Sequence, residues 1–114
     1  MGYYSDVALA LSKHGSNLLK KRLGTVVGDE RILFDHADLH KVDAATGQEL
    51  WRWDSVKWYE DFPDVAFIHG FLEDLDEQHY LFVRVGEECG DTETRGNFWS
   101  NVFQLDVSTS IVTA

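Results

Sequence analysis

Two histidines, His36 and His40 in HADLH, have the spacing with which one helix face presents a pair of nitrogen ligands to a metal ion. Asp35 and Asp38 lie beside them. No third ligand stands nearby in the chain, and the segment reads as a helix end running into a hairpin, where that spacing no longer converges. No metal site and no cofactor is expected. Glu60, Asp61 and Asp64 are a second candidate, a carboxylate cluster of the kind used for general acid–base work. That work needs a buried carboxyl with a raised pKa. These three sit at the start of a helix, whose dipole favours the charged form, so capping and solubility are the expected roles. Cys89, in GEECGD, stands beside two glutamates that discourage its thiolate. The polar stretch 86–97 carries Glu87, Glu88, Asp91 and Glu93, with Arg95 beyond. It lacks the distal glutamate of a calcium loop. A solvated acidic loop and a partner contact both remain open for it. No nucleophile elbow, phosphate-cradling glycine loop or cysteine pair occurs, so the chain is not expected to be an enzyme.

With reactive constellations set aside, charge becomes the main signal. The 114 residues include 20 acidic and 10 basic side chains, a net charge of −10. Twelve of the acids but only two of the bases, Lys57 and Arg84, fall within 54–93, so that stretch accounts for the entire net charge. Phosphate attraction requires positive potential, so direct nucleic-acid binding is not expected. A basic protein partner is. Hydrophobic residues make up 44 % and aromatics 13 %, a globular composition for one domain spanning 1–114. The single cysteine fits a reducing, cytoplasmic setting. The N-terminal stretch has neither a basic start nor a sustained apolar run, so no signal peptide or membrane span is expected.

The elements that would carry these residues read as follows. YYSDVALAL (3–11) alternates as a strand, with Ser5, Val7, Leu9 and Leu11 on one face. SKHGSNLLKKRL (12–23) is a short helix capped by Ser12 or Ser16 and stopped by Gly24. A turn and a second helical piece from about Asp29 follow. Residues 38–56 form a hairpin around Ala44-Ala45-Thr46-Gly47. FPDVAFIHGFLEDL is an amphipathic helix with Pro63 in its first turn and a stripe of Val65, Ile68, Phe71, Leu72 and Leu75. HYLFVRV is a strand, and the C-terminal VFQLDVSTSIVTA adds one or two strand pieces. The order predicts an α+β fold, specifically a split β-α-β (ferredoxin-like) two-layer sandwich with an antiparallel sheet and helices on one face.

Two stretches of the chain resemble a family of small acidic bacteriophage and prophage proteins of uncharacterised function. The matching words are Tyr3-Tyr4-Ser5-Asp6-Val7-Ala8, Lys57-Trp58-Tyr59-Glu60-Asp61-Phe62-Pro63, and the acidic turn after the strand near 80–85. The resemblance covers roughly half of the chain. It implies a phage–host setting and carries no catalytic residue set.

The aromatic run WRWDSVKWYEDFPDVAF (51–67) bears on what such a protein would bind. If Leu9, Leu50, Val56, Leu81 and Val83 meet the helices, then Trp51, Trp53, Tyr80 and Phe82 occupy the opposite sheet face. There they are either covered by the C-terminal segment or exposed as an interface patch. The expected partner surface therefore joins those four aromatics to Glu60, Asp61, Asp64, Glu73, Asp74, Asp76, Glu77, Glu87, Glu88, Asp91 and Glu93. Imitation of nucleic acid by the carboxylates is one use of it. A homodimer joined through the aromatic face or an edge strand is the alternative.

Overall fold

The computed structural model describes residues 2–107 and 110–113. Strand β1 (Ser5–Leu11) leads into helix α1 (Lys13–Leu23). Ser12 caps that helix by accepting the Gly15 N–H at 3.1 Å, and Gly24 closes it. Gly15 sits in the first turn for a packing reason: a Cβ there would lie 3.0 Å from the His79 carbonyl oxygen. A 3-10 turn (Gly28–Arg31) runs into the single-turn α2 (Ile32–Asp35). The hairpin of β2 (Leu39–Val42) and β3 (Glu49–Val56) follows. Next come α3 (Pro63–Glu73), a second 3-10 turn (Glu77–His79), β4 (Tyr80–Gly86) and β5 (Thr92–Gly96). Two short strands, β6 (Asp106–Val107) and β7 (Ile111–Val112), pair with each other.

The chain is therefore α+β, with three helices among the described residues and a five-stranded sheet in the order β2-β3-β1-β4-β5. Every neighbouring pair in that sheet is antiparallel.

Register corrects the expected assignment of faces. Leu9 pairs with Trp51 on one side and Phe82 on the other, whereas Ala10 pairs with Leu50 and Leu81. Directly paired residues share a face. Trp51, Trp53, Tyr80 and Phe82 thus lie with Leu9 beneath the helices, in a core with Leu19, Phe34, Val65, Ile68, Phe71 and Leu72. Leu50, Leu81 and Val83 lie on the opposite face with Ala8 and Ala10, covered by Leu105 and Ile111 of the C-terminal segment. The four aromatics are buried and form no exposed patch; Trp53 and Phe82 are 1 % and 0 % exposed. Phe34 meets Trp51 edge-on at 4.9 Å between ring centroids, and the Trp53 indole N–H donates to the Leu33 carbonyl at 2.6 Å.

Val56 also changes sides relative to strict alternation. The register slips between Ser5 and Val7, so β3 carries one extra residue there. Ser55 absorbs it with φ of 52°, its N–H donating to Asp6 at 2.9 Å. This bulge turns Val56 toward the helices. The expected loop at 86–97 contains strand β5, which alternation of apolar residues could not reveal because TETRG has none.

Replacing Trp53 by alanine should cost about 3–5 kcal/mol, read as a lower urea midpoint with an unchanged slope. Ser55→Gly should raise stability by about 0.5 kcal/mol, since it relieves a left-handed residue at some cost in chain entropy.

Candidate functional site

The helical layer stops at α3, while the sheet continues one strand further to β5. On the helix-facing side, β4 runs Tyr80, Phe82, Arg84; Arg84 pairs with Glu93, and Phe82 with Arg95. The apolar floor therefore turns polar where the helices end. Between α3 and β5 lies an open groove of about 410 Å³ lined by Glu60, Ala66, His69, Gly70, Glu73, Glu93 and Arg95. An adjoining depression of about 490 Å³ shares Glu60 and Glu93 and adds Tyr3, Trp58, Tyr59, Asp61, Arg84 and Asp91.

Arg84 organises the second depression. Its guanidinium reaches Asp91 at 2.9 and 3.2 Å and Glu93 at 3.1 Å. Asp91 also accepts from the Tyr3 hydroxyl at 2.6 Å, and that hydroxyl accepts the Glu88 N–H at 3.0 Å. The Tyr3 N–H donates to the Tyr59 hydroxyl at 2.7 Å, and the Tyr4 N–H to Glu87 at 2.5 Å. Arg84, then Tyr3, holds the Asp91 carboxyl below its ordinary range; the Asp91 hydrogen bond in turn pushes the Tyr3 phenol up. The N-terminal Tyr-Tyr pair is thus a staple on the acidic β4–β5 turn.

His69 dominates the first groove. The Trp58 indole N–H points at its Nε2 at 3.1 Å, and the Arg95 guanidinium contacts its Nδ1. Both neighbours are donors, yet a neutral imidazole has one lone pair to offer, so one contact goes without a hydrogen bond. A proton on the ring would face two donors and a cation. Burial, then Arg95, lowers the His69 pKa; Glu93, Glu60 and Glu73 oppose this and do not overcome it.

The expected partner residues now separate. Glu60, Glu73 and Glu93 meet in one groove, and Asp61 lines its extension. Asp64 turns back on the first turn of α3, accepting the Val65 N–H at 2.9 Å. Asp74 pairs with Arg22 at 2.6 Å. Asp76, Glu77, Glu87 and Glu88 are exposed, around the turn before β4 and in the turn after it. Trp51, Trp53, Tyr80 and Phe82 are core residues, as above. His36 caps the end of α2 while His40 lies on β2, so the pair does not share a helix face. His40 instead stacks on Trp51 and meets the buried Glu49 at 2.5 Å, which also accepts from Ser16 at 2.9 Å. Among the described residues no group of three or more His, Cys, Asp or Glu side chains could hold a metal ion, and no helix is long and apolar enough to cross a membrane.

Sequence reading missed His69, Arg95 and the Tyr3 staple. The available signal for His69 was its place on α3 next to Ile68 and four residues before Glu73, at the polar border of the apolar stripe. No protein-family model, curated protein or solved structure matches the chain.

Because folded His69 refuses a proton that the unfolded chain binds near the ordinary pKa of 6.5, stability should fall as pH drops below that value. His69→Gln should flatten this slope in urea titrations. The ring's own NMR titration should have its midpoint below 6.5.

Proposed function

We propose that this chain is a non-enzymatic accessory protein of a bacteriophage or prophage, acting in the bacterial cytoplasm by binding a basic protein partner. The observation that carries this reading is the state of the eleven candidate carboxylates. Only Asp74, Asp91 and Glu93 have cationic partners among the described residues. Glu60, Asp61, Asp64, Glu73, Asp76, Glu77, Glu87 and Glu88 have none within ion-pair distance, and all but the half-buried Asp64 are exposed. Exposed charge of one sign steers a complementary partner and sets its orientation. Burial of the four aromatics removes them from the binding surface, which leaves the acids around α3 and the β4–β5 turn. The partner in this reading is of the kind whose basic groove holds nucleic acid, such as a host defence protein, with the carboxylates imitating phosphates.

The non-enzymatic part of the reading rests on the groove chemistry. His69 is faced by donors on both nitrogens, and Arg84 is occupied by two carboxylates, so neither is poised to move a proton or to take an anion. The fold is of the split β-α-β kind: β4-β1-β3-β2 is its strand order, with α1 and α3 as the crossovers and β5 added at one edge. The phage setting rests on the words around Tyr3 and Trp58. A second reading, a homodimer, is favoured by the open outer sides of the end strands β2 and β5 among the described residues.

Tagged protein should retain a basic partner from bacterial lysate at about 50 mM salt and release it by about 500 mM, where the Debye length is far shorter. The triple substitution Glu60→Gln, Glu73→Gln, Glu77→Gln should lower retention roughly tenfold with little change in melting temperature. Retention indifferent to both salt and the triple substitution contradicts the proposal. A mass twice that of the monomer, independent of salt, favours the homodimer instead.

A further inference from the structure

On the other flank of α3, between it and α1, lies a cleft of about 250 Å³. It is lined by the buried Phe71 and Leu75, the half-buried Leu18, and Thr25, with Lys21, Arg22 and Asp74 as its charged groups. The volume is below the usual range for drug-sized ligands, which suits a short-chain molecule. The apolar lining calls for an apolar body.

The charged groups call for an anionic head. Lys20, Lys21 and Arg22 make the last turn of α1 basic, with Asp74 the one acid among the residues that line the cleft. Lys21 has no carboxylate partner among the described residues. Arg22 is held by Asp74 at 2.6 Å and lies 5.8 Å from the centre of the Phe71 ring. That ion pair is solvent-exposed, with side chains 43 % and 66 % accessible, so another carboxylate can take over Arg22 at small cost. Basic residues at a helix C-terminus also complement its dipole. That role is indifferent to which side of the helix they stand on, whereas Lys21 and Arg22 both border the cleft.

We infer that the α1–α3 cleft binds a small amphiphilic carboxylate, its apolar chain on Leu18, Phe71 and Leu75 and its head between Lys21 and Arg22. Asp74 is a competing internal anion that the ligand's head displaces. The cleft shares Asp74 with the acidic surface but lies on the opposite flank of α3 from the groove assigned to the partner.

The test is an amide NMR titration of the full chain with octanoate, octanol and octylamine. Octanoate should shift residues 18–22 and 71–75 saturably, with octanol about tenfold weaker and octylamine no tighter than octanol. Asp74→Asn should tighten octanoate binding by about threefold, because it frees Arg22. Lys21→Glu should weaken it by about tenfold while leaving octanol unchanged. Leu18→Trp, which fills the cleft, should abolish binding of all three. Equal binding of octanol and octanoate overturns the inference. So do indifference to both Asp74→Asn and Lys21→Glu, shifts centred elsewhere, or no saturable shift. The two charge variants alter exposed side chains, so the test stands if Leu18→Trp fails to fold.

Discussion

From Val7 to Leu11 strand β1 has no solvent-facing side, and the rest of the architecture answers that constraint. Val7, Ala8, Leu9, Ala10 and Leu11 are all fully buried. A central strand with two apolar faces needs cover on both. The large side chains, Val7, Leu9 and Leu11, face the three helices, where there is depth to fill. The alanines face a cover built from Leu105 and Ile111, with Phe98 and Phe103 packed against it. Antiparallel pairing then carries the alternation outward. Leu9 places Trp51 and Phe82 on the helix side, and their neighbours Trp53 and Tyr80 follow.

This has a direct bearing on function. Once the aromatics are spent on the core, the surface that distinguishes the molecule is its charge. Some of the acids are tied to the fold by hydrogen bonds. Tyr3 and Arg84 hold the β4–β5 turn through Asp91, Tyr4 reaches Glu87, and Asp64 is folded onto its own helix. A carboxylate already held in place loses less entropy when another group orders it. The His69 ring lies between Trp58 and Arg95.

Much of the fold was legible because local chemistry and tertiary structure agree. Ser12 and Gly24 bound α1, Pro63 opens α3, and the 43–48 turn closes its hairpin where expected. The face assignment failed for a specific reason. Leu50, Leu81 and Val83 are as apolar as Leu9, so alternation in each strand says which residues share a side but not which side the helices take. Only inter-strand register decides that, and it rests on pairings far apart in the chain, Leu9 with Trp51 and with Phe82. Strand β5 escaped notice because both its faces are polar, and the hydrophobic period on which strand recognition rests is absent from it. The groove escaped because its parts come from distant segments: Trp58 before α3, His69 within it, and Arg95 on the last strand of the main sheet. The Glu49–His40–Ser16 cluster was hidden in the same way, and its burial gave His40 a partner other than the His36 that its spacing suggested.

Hydrogen exchange on the complex with the captured partner reads the binding surface residue by residue. New amide protection is expected at 60–77 and 86–96, with α1 and the C-terminal segment unchanged. Protection confined to 13–23 or to 98–113 would contradict it.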